Sequence, residues 1–332
     1  MKTIIPSKLK IGDEVRVVAP SQSMAIISKE ARDIANQRFL DLDLKLSFGK
    51  HIEEKDDFAS SSIQSRIEDL HDAFQDKNVK AIITVIGGFN SNQLLKYLDW
   101  NLIKNNPKIL CGYSDITILN NAIFKKTGLV TYSGPHYSSF GQKLYFDYTL
   151  EYFKKCLMTS DNPFEIRPSQ NWSDDKWYEN QEERVLIKNE GWKIINEGFS
   201  KGIIIGGHIG TFNLLKGSEF FPNLDNAILF AEDDDLVGAS ADVEFDRNLQ
   251  SIIHLPQFNL VQGIIIGRFQ KASKMTDDKI FKIIKSKEEL KNLPVVANVD
   301  FGHTDPKITF PIGGEINLIA DNKNPKIEIL KY

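Results

Sequence analysis

Cysteine is nearly absent from this 332-residue sequence: only Cys111 and Cys156 occur, too few for a disulfide framework or a cysteine-rich zinc or iron–sulfur site. A reducing compartment is expected. Long apolar runs are missing too, since no segment approaches about 18 uninterrupted apolar residues. The start, MKTIIPSKLKIGDEVRVVAP, lacks the basic stretch, apolar run and small-residue site of a secretory leader. We therefore expect a cytoplasmic protein without a membrane partner. Positive charge is not in excess: 41 Lys and Arg stand against 45 Asp and Glu, a net charge of −4. Such a chain offers no field for a polyanion, so no nucleic-acid partner is expected. The phosphate-loop pattern G-x-x-x-x-G-K-[ST] is absent, and Gly87-Gly88-Phe89-Asn90 lacks the spacing of a dinucleotide fingerprint.

What remains is an ordinary globular composition, with 26% charged and 41% hydrophobic residues. At about 150 residues per domain, the length suggests two domains. Apolar runs at Glu14–Ala19, Lys80–Ile86, Lys108–Cys111 and Leu129–Tyr132 alternate with helix-like stretches, which predicts an α/β domain. Runs such as AIITVI do not alternate with polar residues, so their strands should be covered on both faces, as in a parallel sheet. From Lys201 onward strands are expected at Gly202–Ile205, Ala227–Ala231, Gly263–Ile266, Val295–Val299, Ile308–Ile312, Glu315–Ile319 and Lys326–Leu330. Helices are expected at Asp277–Lys291 and after Gly210. The predicted fold is an N-terminal α/β domain with a mostly parallel sheet (1–160), a linker and substrate loop (161–200), and a smaller β-rich α+β C-terminal domain (201–332). The linker is polar and turn-rich yet holds Trp172, Trp177 and Trp192.

Three segments could carry chemistry. Ser114, in Gly112-Tyr113-Ser114-Asp115-Ile116-Thr117, sits between an apolar strand and a helical run, where a hydroxyl beside free helix amides suits an acyl-transfer nucleophile. The same serine could simply cap the helix. Gly87-Gly88 follows a strand and could bring backbone close to a ligand, or form a tight turn. His303 lies in a Gly- and Pro-punctuated loop after a strand, where general bases are often mounted. A carboxylate of Glu232–Asp235, at the end of the strand AILF, could orient that histidine; the cluster could also bind a hard cation or be a solvated loop. A two-domain binding protein could use the same cleft without chemistry.

Taken together, the segments IGDEVRVVAPS, IGGFNSNQLL, GYSDIT, TGLVTYSGPHYSSFG, GGHIGTFNLL, FAEDDD and NVDFGHTDPKITFPIGG resemble the LD-carboxypeptidases. These serine peptidases include the murein tetrapeptide carboxypeptidases and the microcin C immunity peptidases. The resemblance implies Ser114 as nucleophile, His303 as general base and acid, and Glu232 as the group orienting His303. The backbone amides of Gly88 and Asp115 would form the oxyanion hole. It also implies a homodimer and a mechanism that needs no metal or organic cofactor. Ile86 stands where the tetrapeptide carboxypeptidases usually have arginine, and the tryptophan-bearing linker looks like that of the immunity peptidases. The substrate implied is therefore an aminoacyl- or peptidyl-nucleotide conjugate, with Trp172 or Trp177 stacking on the base; the alternative is an L,D-linked murein tetrapeptide. Two departures bear on the site. His208 replaces the asparagine common after the paired glycines, and Glu244 lies close enough in sequence to compete with Glu232.

Overall fold

The computed structural model describes residues 2–160 and 163–332, so positions 161 and 162, which open the expected linker, lie outside the described residues. The first half alternates β1 (Glu14–Val18), α1 (Lys29–Asp41), β2 (Lys45–Phe48), α2 (Ile63–Gln75), β3 (Val79–Thr84), α3 (Trp100–Asn105), β4 (Ile109–Cys111), α4 (Thr117–Thr127), β5 (Thr131–Ser133) and α5 (Asp147–Leu157). There follow β6 (Phe164–Ile166), β7 (Asn171–Trp172), β8 (Ile187–Lys188), β9 (Lys193–Asn196), β10 (Gly198–His208), α6 (Ile209–Asn213), β11 (Ala227–Glu232) and α7 (Ala241–Ile253). The chain closes with β12 (Gly263–Gly267), α8 (Asp277–Lys285), β13 (Val295–Val299), β14 (Phe310–Ile312), β15 (Glu315–Ala320) and β16 (Lys326–Lys331).

The first sheet has the order β14-β5-β4-β3-β1-β2 and is parallel apart from β14. The second, β6-β16-β15-β10-β11-β12-β13-β9, has a parallel centre over β10–β13 and antiparallel strands on both flanks. This is the mixed α/β architecture expected from the non-alternating apolar runs. Along β3, Ala81 and Ile83 enter one core cluster and Ile82 the other; along β11, Ile228 and Phe230 part from Leu229 and Ala231 in the same way. Both faces of each strand are thus covered, and each cluster draws on both halves of the chain.

Three expectations need correction. The helix expected over Asp277–Lys291 stops at Lys285, because the backbone turns extended at Lys287, whose buried ammonium pairs with the Asp246 carboxylate. After Gly210 only a single turn of helix forms, α6. The longer helix of this region is α7, whose Ala241, Phe245, Leu249 and Ile252 are buried at helical spacing; its apolar face was the signal that could have revealed it. The strand expected over Ile308–Ile312 is shorter, Phe310–Ile312, and it completes the first sheet by pairing with β5.

Both cysteines are buried thiols without a disulfide. Among the described residues, no helix is long and apolar enough to cross a membrane.

Candidate active site

The carboxyl ends of β3, β4, β10, β11 and β13 carry the segments that matter, the position where open α/β sheets usually hold ligands. Ser114 follows β4 and adopts φ +58°, a left-handed conformation uncommon outside glycine and sustained only when the surroundings enforce it. They do so through Asp115. Its buried carboxylate accepts the Ser21 hydroxyl at 2.6 Å and the amides of Asn90 and Ser91 at 3.0 and 2.9 Å. Ser114 does not cap α4, whose cap position is Ile116; its hydroxyl faces a histidine.

That histidine is His303, whose Nε2 lies 3.0 Å from Ser114 Oγ while Nδ1 lies 2.8 Å from Glu232 Oε2. Glu232 ends β11 and is 2% exposed. Burial disfavours its charge, but the adjacent His303 outweighs that and holds its carboxyl below the usual carboxylate range. Glu244, the competing carboxylate, instead points to Arg247 and Asn248 on its own helix, at 2.8 and 3.2 Å. Gly87 and Gly88 lie against the serine: a β-carbon on Gly87 would stand 2.9 Å from Ser114 Cβ and 3.5 Å from the Asp115 amide nitrogen. Gly88 has φ +147°, and a β-carbon there would collide with Ser21 Oγ. The close approach of this turn therefore depends on glycine at both positions.

The loop from Ser173 to Arg184 is fastened to the histidine loop. Ser173 and Asp305 exchange backbone hydrogen bonds at 2.7 and 2.8 Å, and the Arg184 side chain spans Asp175 (2.5 Å) and Asp305 (3.6 Å). Trp177 is half-buried and stands edge-on to Tyr178. Trp172 carries Arg268 and Lys271 at 5.1 and 5.7 Å from its ring centre. Trp192 is a core residue whose indole donates to Asp300.

Several neighbours were not singled out from sequence. Tyr113 stacks on His136 with ring centres 4.4 Å apart and stands edge-on to His303 at 5.4 Å. His136 is bonded to Thr84 Oγ1, and burial pushes its pKa well below the usual imidazole value, so it is neutral. Lys307, ion-paired with Asp305, lies over the Tyr113 ring.

His208 had no visible acidic partner in the sequence, yet its Nε2 lies 3.2 Å from Asp233 and 3.4 Å from Asp234. Its Nδ1 accepts the Thr211 amide at 3.1 Å, which leaves the proton of the neutral ring on Nε2. Burial works against a charge on His208 and the two carboxylates favour one, raising its pKa, but charging the ring puts a second proton on Nδ1 and breaks the bond from the Thr211 amide. In both forms Nε2 carries a proton. The three side chains cluster closely enough for a metal ion, yet Nε2, which has no hydrogen-bond partner among the described residues, keeps its proton while Nδ1 accepts the Thr211 amide, and so offers no lone pair to one.

The described residues thus bring Ser114, His303 and Glu232 into one hydrogen-bonded line, with Gly87, Gly88 and Asp115 beside it. Residues 15–134 match the LD-carboxypeptidase N-terminal domain and residues 201–318 the LD-carboxypeptidase C-terminal domain. The chain is 52% identical over 327 residues to YocD of Bacillus subtilis (strain 168), whose name provisionally assigns it to the carboxypeptidases; the match covers 98% of this chain and 99% of that protein. The crystal structure of an MccF-like protein from Bacillus anthracis str. Ames superposes with a TM-score of 0.98 at 53% identity, covering 99% and 100% of the two chains. The microcin C7 self-immunity protein MccF of Escherichia coli is 31% identical over 98% of this chain and 95% of its own. MccF has been solved with glutamyl sulfamoyl guanosine (TM-score 0.88, 28% identity, 98% of both chains) and with aspartyl sulfamoyl adenosine (TM-score 0.87, 29% identity, 99% of both chains). This chain belongs to the LD-carboxypeptidase family and is a serine peptidase.

Proposed function

We propose that the enzyme hydrolyses the amide between an aminoacyl or peptidyl group and a nucleotide-like moiety, with Ser114, His303 and Glu232 as its catalytic triad. The observation that carries this reading is the unbroken line from Ser114 Oγ through His303 to Glu232, at 3.0 and 2.8 Å. Ser114 Oγ attacks the amide carbonyl carbon as its proton passes to His303 Nε2. Glu232 accepts the Nδ1–H, fixes the tautomer and stabilises the imidazolium. The oxyanion gathers beside the Gly88 and Asp115 amides, a role that the close approach of the Gly87-Gly88 turn to Ser114 supports. Collapse breaks the C–N bond as His303 returns the proton to the leaving nitrogen. A water molecule then gives its proton to His303 and its hydroxyl to the acyl carbon, and the acid departs as Ser114 regains its hydrogen.

The ligands held by MccF support a nucleotide-bearing substrate. Trp177 suits a base platform better than Trp172, whose ring already carries two cations. The proposal also takes 1–160 and 201–332 as two domains that assemble the triad across their cleft, joined by the tryptophan-bearing linker, in a cytoplasmic homodimer. The test is turnover of an aminoacyl sulfamoyl adenosine and of an L,D-linked murein tetrapeptide by wild type and Ser114→Ala, read by mass spectrometry. Release from the adenosine alone, reduced at least about a thousandfold in the variant, is expected. Release of terminal D-alanine alone would return the enzyme to wall-peptide chemistry.

A further inference from the structure

The parallel strands β1, β3 and β4 enter the first sheet side by side at the edge opposite the triad, and they bring lysines with them. Ala81 of β3 pairs with Ile109 of β4, so Lys80 and Lys108, one residue earlier on each strand, are neighbours there. The segment leading into β1 and the turn before β3 add Lys10 and Lys77, and a cavity of about 360 Å3 opens among them. Only one carboxylate lines it, Asp13, whose Oδ2 accepts the Lys10 amide at 2.8 Å. Glu14 and Asp76, within electrostatic reach of Lys108, are both held by Arg16 at 3.0 and 3.1 Å. Lys8 also lines the cavity but gives its ammonium to oxygens of Cys156 and Tyr332 at 2.7 and 2.8 Å. The Lys80 ammonium donates to the Lys77 carbonyl at 2.6 Å and the Lys108 ammonium to the Asp76 carbonyl. Among the described residues, none of Lys10, Lys77, Lys80 and Lys108 forms an ion pair with a carboxylate. Lys108 is the sharpest case, being 7% exposed. Burial brings its ammonium down to about 8, with Asp76 opposing and the charges of Lys80 and Arg16 pressing the same way. A buried cation beside other cations, with only a carbonyl as partner, is costly until an anion joins it. Such a concentration of unpaired positive charge also runs against the balance of a chain whose net charge is −4.

We propose that this cavity is a second binding site, separate from the triad, for a phosphate-type oxyanion, with Lys108 at its base and Lys10, Lys77 and Lys80 around it. Lysine ammoniums meet phosphate oxygens as point charges, through charge-assisted hydrogen bonds. Each ammonium has three donors, and backbone carbonyls occupy one on Lys80 and one on Lys108, which leaves the others for the oxyanion. The cations outnumber the lining carboxylate, so a ligand carrying two or more negative charges balances them better than a monocarboxylate does. The phosphate has two sources, a free inorganic anion or the diphosphate of a nucleotide. The site lies at the amino ends of β1, β3 and β4, whereas Gly88 and Ser114 follow the carboxyl ends of β3 and β4, so the inference does not rest on the reaction proposed above.

The test is calorimetric titration of the enzyme with inorganic phosphate, inorganic diphosphate and ADP at fixed ionic strength, so that screening is the same throughout. Phosphate or diphosphate is expected to bind with a Kd below about 1 mM. Lys80→Gln should weaken that binding about tenfold, and Lys108→Met at least as much. Lys323→Gln removes the same charge from the turn between β15 and β16 and should leave binding unchanged. ADP held more tightly than diphosphate, and weakened alike by Lys80→Gln, assigns a nucleotide; ADP held no more tightly assigns the free anion. Lys80 is exposed, so its variant decides the matter even where Lys108→Met does not fold. Absence of binding by both inorganic anions, binding that Lys80→Gln leaves intact, or an equal loss in Lys323→Gln would overturn the inference.

Discussion

Gly302 and Glu232 meet only because residue 302 has no side chain: a β-carbon there would stand 2.7 Å from Glu232 Oε2, the oxygen that faces His303. Gly302 also has φ +94°, a conformation that strains any L-residue. Gly302→Ala should therefore push the Glu232 carboxylate off His303 Nδ1. The expected outcome is kcat lowered about 10- to 100-fold with KM little changed, since only the orientation of the base is lost. Steady-state kinetics beside a thermal melt checks this; an unchanged kcat in folded protein would show that the contact does not matter.

Arg184 couples two loops rather than touching the reacting groups. Its side chain is 1% exposed and held between Asp175 and Asp305, so Arg184→Met leaves Asp175 without its cation and loosens the Trp177 loop, which keeps the Ser173–Asp305 backbone bonds to the His303 loop. We expect KM for a nucleotide-bearing substrate to rise about tenfold, or about 1.4 kcal/mol, with a smaller effect on kcat. A loss confined to kcat would contradict this role.

The strand ends were readable because apolar runs such as KILC and AILF stop abruptly at Ser114's turn and at Glu232, and the loop around His303 follows a run of the same kind. Each of these lies at the end of its own element, so local pattern suffices to find it. Pairings between elements were not readable. His208 reaches Asp233 and Asp234 because β10 and β11 run parallel with His208 opposite Glu232, a register that no local signal encodes. Arg184 meets Asp305 across more than a hundred residues for the same reason. The helix ending at Lys285 was overestimated because Lys287 follows a tertiary ion pair to Asp246, not the helical periodicity.

Asp300 is the buried hub that holds the linker against the end of β13. It accepts the Ser169 amide and hydroxyl, the Asn189 side-chain amide and the Trp192 indole, and faces Arg268 at 3.5 Å. Burial pushes its pKa up, with Arg268 opposing. Asp300→Ala would leave these donors and the Arg268 cation without their acceptor, a loss of about 3 kcal/mol. Urea unfolding measures it; a change below about 1 kcal/mol would mean that water or rearrangement replaces the carboxylate.

Asp234 gives the stability a dependence on acid. Burial alone would raise its pKa, but the neighbouring His208, 3.4 Å away, and the charge of His303 outweigh that and bring it down to about 2. The folded-state value then lies below the unfolded one, near 4, so folding favours the carboxylate. Its contribution is complete above about pH 4 and is lost as pH falls toward 2. Asp234→Asn removes the titrating group. The variant should be less stable than wild type at pH 5, and the gap in urea-unfolding free energy should narrow steadily between pH 4 and pH 2. Asp233 works in the opposite direction, because burial raises its pKa against the opposing pull of the nearby His208, so the wild-type curve alone mixes the two and only the difference between wild type and variant isolates Asp234. A gap that stays constant over this range would show that Asp234 keeps its ordinary affinity for protons and that His208 and His303 do not hold it as a carboxylate.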